Sequence, residues 1–254
     1  MRLFCFSDCH GFATELIDAL KNAGFESGNP NMLLVGLGDY TDRGTENAKV
    51  IEYLQSIPNK VLVKGNHESL VEHCIERGFP YSNDYLNGTY DTICELGGLS
   101  TTRNFKGCCI VAEQKLKPFW NEMIDYYETE NYIFVHSFVP INCGDGIPVY
   151  YKHPKNRKFS KIENWREAHH SEWEDARWGN PFELAEKGLL PEKTLVFGHW
   201  HCSTGWAKKE GCSEFDDDAK FEPFHGDGYI AIDACVAHSG KVNVLMLEDN
   251  LLEE

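Results

Sequence analysis

Six short segments of this chain share one local context, an apolar run that stops at a cluster of Asp, Asn or His. They are Asp8-Cys9-His10, Gly38-Asp39-Tyr40-Thr41-Asp42-Arg43-Gly44, Gly65-Asn66-His67-Glu68, Val135-His136, Gly198-His199 and His201. A short apolar run bounded by polar residues marks a buried strand, and an open α/β sheet gathers its ligands beyond the carboxyl ends of its strands. Runs ending side by side in such a sheet would bring carboxylates, imidazoles and one amide oxygen to a common edge.

The remaining pattern is that of an α/β chain. Residues 3–7 read as a strand, 12–23 as a helix with apolar Leu16, Ile17 and Leu20, 32–37 as a second strand, 46–55 as a helix and 60–63 as a third strand. A further helix is expected to begin near Glu68. This alternation favours parallel pairing with right-handed crossovers. Residues 81–128 turn mainly helical, with Tyr85, Tyr90, Ile93 and Leu96 as a loose stripe, and are expected to form a helical insertion walling the site. Strands are expected again at 132–135, 194–197, 229–232 and 241–247, with an exposed polar loop at 208–228. The Asp216-Asp217-Asp218 run in that loop lacks the spacing of an EF-hand. A chain of 254 residues with this pattern is expected to be a single domain, 1–254.

Composition narrows the function classes. The net charge is −16 and the basic residues are scattered, which argues against a nucleic-acid partner, since neutralising phosphates needs clustered Lys and Arg. The densest basic group, 155–161, reads as a solvated loop. No apolar stretch approaches the ~18 residues of a membrane span. The first residues run directly into Ser7-Asp8 without the apolar region of a signal peptide, so no membrane partner and a cytoplasmic location are expected. The ten cysteines form no CxxC pair and read as free thiols rather than a disulfide framework. Gly36-Leu37-Gly38 lacks the third glycine of a dinucleotide-binding turn.

The clustered residues suit two divalent ions. A pair of close cations needs a bridging carboxylate, terminal carboxylates or imidazoles, and an open position. Asp8 and His10 can turn toward one ion, and Asp39 is the choice for the bridge. Asn66, His136 and His199 complete the second ion, and His201 can return to the first. Two ions bring four positive charges, of which Asp8, Asp39 and a bridging hydroxide remove three, so the site stays positive and attracts a phosphoryl group inside an acidic protein. A mixed O/N ligand set with no thiolate suits transition metals: manganese foremost, with iron or zinc as alternatives.

The order Asp8-x-His10, Gly38-Asp39-x-x-Asp42-Arg43-Gly44, Gly65-Asn66-His67-Glu68, His136 and Gly198-His199 resembles the phosphoprotein phosphatase branch of the calcineurin-like metallophosphoesterases. Within that branch it is similar to bacterial and phage serine/threonine protein phosphatases and to bacterial diadenosine tetraphosphatases. The resemblance implies a four-layer α/β/β/α sandwich with Asp8, His10, Asp39, Asn66, His136 and His199 as metal ligands. It further implies His67 as general acid oriented by Asp42, and Arg43 on the phosphate. Two positions depart from the branch. Lys64 stands where many relatives have Arg, and a lysine offers no bidentate fork. His201 follows Gly-His as in the wider superfamily, where that histidine ligates the first ion. Arg177 is the choice for a further phosphate-binding arginine, ahead of Arg166. The implied activity is hydrolysis of phosphomonoesters by a metal-bridging hydroxide, on phosphorylated proteins or, alternatively, a dinucleoside polyphosphate or other small phosphorylated substrate. A non-catalytic phosphoprotein-binding module is the remaining reading.

Overall fold

A computed structural model describes residues 1–98, 104–144, 149 and 158–252. The first half contains β1 (Arg2–Phe6), α1 (Ala13–Asn22), β2 (Met32–Gly36), α2 (Asn47–Gln55), β3 (Lys60–Val63), α3 (Asn66–Arg77), α4 (Ser82–Leu86), α5 (Thr89–Gly97), α6 (Phe105–Trp120) and β4 (Met123–Ile124). The second contains β5 (Tyr126–Glu128), β6 (Tyr132–Val135), β7 (Ile141–Cys143), β8 (Phe159–Lys161), α7 (His170–Ala176), α8 (Pro181–Glu186), β9 (Thr194–Phe197), α9 (Cys202–Glu210), β10 (Phe224–Gly226), β11 (Tyr229–Ala231), α10 (Val236–Ser239) and β12 (Leu245–Glu248).

Two five-stranded sheets form, in the orders β12-β1-β2-β3-β4 and β10-β11-β9-β6-β5. Strands β1 to β4 pair in parallel and β12 is antiparallel to β1; β11, β9 and β6 pair in parallel between antiparallel β10 and β5. Because side chains alternate between sheet faces, each strand feeds two cores. Leu3 and Cys5 of β1 meet Val35, Val63, Phe134, Val196 and Ile230 between the sheets. Phe4 and Phe6 of the same strand face the helices, among Leu16, Leu20, Val50, Leu54, Val71 and Phe119. On the outer face of the second sheet, Ile133, Val135, Leu195 and Phe197 pack with Trp173, Phe182 and Leu184. Three cores separate four layers, α/β/β/α. Burial on both faces is why these strands read as unbroken apolar runs.

Parallel order puts the ends of β1, β2 and β3 side by side, and the ends of β6 and β9 face them from the second sheet. Asp8 N donates to Gly38 O (3.1 Å), Gly198 N to His136 O (2.8 Å) and His199 N across the sheets to Asp8 Oδ2 (2.9 Å).

Several expected boundaries move. The helical part of 81–128 ends at Trp120; β4 and β5 follow, strands of two and three residues that carry no readable period. Residues 99–103 of that stretch lie outside the described residues. The expected strand at 241–247 is confined to Leu245–Glu248, because Val242 and Val244 pack into the helical core instead. The expected loop at 208–228 begins inside α9 and contains β10, whose one fully apolar anchor is Phe224. Within the basic group 155–161, β8 pairs with β7, and residues 155–157 lie outside the described residues. Cys5, Cys9, Cys74, Cys108, Cys109, Cys202 and Cys235 are buried free thiols. Among the described residues no helix is long and apolar enough to cross a membrane.

Candidate active site

The strand ends make abrupt turns in which ordinary residues take left-handed backbone. Among the described non-glycine residues, positive φ occurs at Asp8, His10, Asp39, Asp42, Arg43, His199 and Cys235, between 45° and 75°. Each such residue costs roughly 1–2 kcal/mol, and strain of this kind collects at functional sites. Six of the seven belong to the segments singled out in the sequence. The turns are held by Glu68, a buried carboxylate accepting hydrogen bonds from Asp39 N (2.9 Å), Tyr40 N (2.9 Å) and Gly65 N (2.8 Å). Glu68 is the third residue of α3 and closes a capping box on Gly65. At Gly38, with φ +90°, a Cβ would lie 2.6 Å from Gly65 Cα, so only glycine lets the ends of β2 and β3 approach this closely.

Two donor clusters share Asp39. The donor atoms of His10, Asp39 and His67 lie within 4.8 Å of one another, as do those of Asp39, His136 and His199. His10 Nε2 is 3.7 Å from Asp39 Oδ2, and His136 Nε2 is 3.5 Å from Asp39 Oδ1, so the two carboxylate oxygens face different clusters. His136 Nδ1 meets Leu37 O at 2.7 Å and His10 Nδ1 meets Thr41 O at 3.1 Å. A carbonyl can only accept, so each Nδ1 carries the proton and each Nε2 turns a lone pair inward, the usual orientation for a ligating histidine. His136 Nε2 then faces Asn66 Oδ1 at 2.8 Å and His199 Nδ1 at 3.2 Å. Two lone-pair atoms at 2.8 Å repel each other unless a cation lies between them. The donor set therefore fits divalent ions, with Asp39 as the shared carboxylate.

The charge surroundings agree with this. Burial raises the Asp39 carboxyl, but His136, His67, His10 and His199 outweigh it and hold the group well below the usual carboxylate range. Burial lowers His10, His136 and His199, which favours the neutral form able to ligate. Asp8 is raised by burial and by the nearby Asp233 and Asp39 carboxylates. A bound cation would relieve that crowding.

Asp8 lies beside the first cluster, 3.9 Å from His10 Nε2, and also accepts from Ser7 Oγ and His199 N. His67 Nδ1 donates to Asp42 Oδ2 (2.8 Å), leaving Nε2 3.3 Å from Arg43 Nη2 and 3.9 Å from Asp39 Oδ2. Burial works against protonation of His67, but Asp39 and Asp42 outweigh it and raise its pKa. Arg177 is buried and pairs with Asp125 through Nη2, while its Nε and Nη1 have no hydrogen-bond partner among the described residues. Its charge is felt by His136. Arg166 is engaged elsewhere, with Glu128 and Glu192. Lys64 is not brought to the clusters; its ammonium meets Glu72 at 2.6 Å. His201 stands just before α9, against Phe215 and within the field of Asp233, and belongs to neither donor cluster.

Sequence reasoning assigned no role to Glu68, Asp233, Thr89 or Thr92, all buried around these turns. A signal existed for Glu68, the acid at the third position of a helix. The threonines carry none, because their contacts lie about fifty residues away along the chain, at Asp42.

Residues 1–203 match the sequence profile of the calcineurin-like phosphoesterases. The chain belongs to this family of dinuclear metal-dependent phosphoester hydrolases, and both its two-sheet fold and its paired donor clusters are those of such an enzyme. No curated protein sequence matches it. Among solved structures it is similar to a point mutant of a cold-active protein tyrosine phosphatase (15% identity, 98% of this chain and 76% of that one, TM-score 0.55). The cold-active protein-tyrosine phosphatase of a psychrophilic Shewanella species is similar too (13%, 98% and 76%, TM-score 0.51). A Saccharomyces cerevisiae serine/threonine phosphatase with similarity to human phosphatase PP5 aligns over 100% of this chain and 81% of its own at 12% identity, TM-score 0.48. At these identities the likeness to the two cold-active phosphatases is one of fold.

Proposed function

We propose that this chain is a protein serine/threonine phosphatase that hydrolyses phosphomonoesters. The observation that carries the reading is the buried His67–Asp42 pair, 2.8 Å apart, whose Nε2 accepts from Arg43 Nη2 at 3.3 Å and lies 3.9 Å from the shared Asp39. Asp8, His10, Asp39, Asn66, His136 and His199 would hold two transition-metal ions, manganese the first choice, which would supply Lewis-acid charge at the phosphoryl group. Arg43 and the unpartnered edge of Arg177 supply donors for the phosphoryl oxygens. His67 delivers a proton from Nε2 to the departing oxygen, while Asp42 holds Nδ1. That proton matters greatly for a serine or threonine alkoxide and little for a phosphate-type leaving oxygen, with a pKa near ~6.

A groove of about 550 Å³ supports the same order of substrates. It is lined by Leu70 and His73 of α3, Asn83 of α4, Ser171, Glu174 and Asp175 of α7, and Trp178. The Trp178 ring lies 6.4 Å from that of His199, so the groove adjoins the clusters. Among the described lining residues none is Lys or Arg and two are carboxylates, a surface suited to a peptide.

The test is turnover of phosphopeptides and diadenosine tetraphosphate side by side with manganese, iron and zinc, together with His67→Asn. We expect phosphopeptides to be preferred, and His67→Asn to keep its metal yet lose ~10²- to 10⁴-fold in kcat on them. The loss should nearly vanish on p-nitrophenyl phosphate, whose leaving group hardly needs a proton. Cleavage of diadenosine tetraphosphate with tenfold higher kcat/KM than every phosphopeptide reverses the order of substrates. An equal loss on both kinds of leaving group, or loss of metal, makes His67 a ligand rather than an acid.

A further inference from the structure

The geometry points to Thr89 and Thr92, on α5 of the helical insertion, as positioning residues that act through Asp42 on the proton delivered by His67. This rests on the reading of His67 as the acid. Thr89 Oγ1 donates to Asp42 Oδ2 at 2.6 Å, the oxygen that also accepts from His67 Nδ1. Thr92 Oγ1 donates to the other oxygen, Oδ1, at 2.8 Å and accepts Asp42 N–H at 3.1 Å. Both hydroxyls are thus committed, one to each carboxylate oxygen, and Asp42 cannot rotate about its terminal bond without breaking both contacts. Asp42, Thr89 and Thr92 are each fully buried, so water does not stand in for either hydroxyl.

The two threonines are three residues apart, on one face of α5. Gly88, with φ +82°, precedes them, and a Cβ there would lie 3.0 Å from Arg43 Cα, so the start of α5 is seated directly on the left-handed Asp42-Arg43 turn. From the other side of that turn Asn47 Oδ1 accepts Asp42 N–H (2.9 Å), and its amide donates to Glu95 of α5. Anchoring of the helix does not depend on the hydroxyls, since Ile93 and Leu96 are in the helical core.

The hydroxyls fix the plane of the carboxylate that aligns the imidazole. Valine at either position keeps the shape and removes the donor. Asp42 then swings, and His67 loses its alignment.

The experiment compares the full-length, manganese-loaded Thr89→Val, Thr92→Val, Thr89→Ser and Thr92→Ser proteins with wild type and His67→Asn. Substrates are phenyl phosphate and p-nitrophenyl phosphate, with metal content and thermal unfolding recorded for each. We expect each valine variant to lose ~10- to 100-fold in kcat on phenyl phosphate, to change little on p-nitrophenyl phosphate and to keep its metal. The serine variants should regain most of the loss. Valine variants that slow both substrates alike, or serine variants that behave like valine, assign the threonines a purely structural role and overturn the inference. If His67→Asn itself shows no dependence on the leaving group, the acid assignment fails first, and that result is distinct from a failure confined to the threonines.

Discussion

Glu68→Ala isolates the element that holds the strand-end turns together. In the native protein the Glu68 carboxylate takes three buried backbone N–H groups, from Asp39, Tyr40 and Gly65, at 2.8–2.9 Å. Truncation leaves all three without a partner, at ~1–3 kcal/mol each, a gross loss of roughly 3–9 kcal/mol. Two effects reduce it. Water can enter the space left by the side chain, and the variant no longer buries a carboxyl whose pKa burial and Asp39 push up to about 7. The net destabilisation should be about 3 kcal/mol, or roughly 6–9 °C in Tm for a chain of this size. The assay is urea unfolding of the chelated protein, which removes the stabilisation that metal binding adds to the native state, followed by metal content after reloading. Metal content should fall too, because the turn that aims Asp39 is no longer fixed. Chelated Glu68→Ala that unfolds within about 1 kcal/mol of wild type would refute the idea that this carboxylate staples β2 to β3.

Asp39→Asn removes the one charge shared by both donor clusters, so elemental analysis should show metal falling from about two equivalents to below about one; full metal content would remove the bridge assignment. Gly38→Ala forces a Cβ to within 2.6 Å of Gly65 Cα and 2.8 Å of His136 Nδ1 at φ +90°, and should destabilise the chelated protein by about 2–4 kcal/mol on denaturant unfolding. Glu128 is held below the usual carboxylate range by hydrogen bonds from Arg166 and, after the opposing effect of burial, from Lys193. A lowered pKa stabilises above the unfolded value of about 4.3 and is lost as pH falls through the folded one. Glu128→Gln should therefore cost about 1–2 kcal/mol at pH 7, and its unfolding midpoint should converge on that of wild type in acid.

Much of the site was legible in the sequence because the physics that places it is local. An apolar run long enough to cross a sheet, followed at once by Asp, Asn or His, states both the strand and the end at which the ligand lies. Thus Asp39, His136 and His199 could be named together before any contact was seen, and the structure gathers their donor atoms within 4.8 Å. What the sequence could not give was which side chains face one another. Lys64 follows β3 as regularly as Asn66 does, yet Glu72, two turns along α3, takes its ammonium. Short strands such as Met123–Ile124 were invisible because two residues have no period, and their strand state comes from pairing with β3. The chain by itself determined the strand ends and the ligand types they carry, because burial on two faces leaves an unmistakable apolar run. Only the tertiary structure decided that Glu68, Thr89, Thr92 and Asp233 crowd those ends, because partners dozens of residues apart become neighbours only when sheets and helices pack.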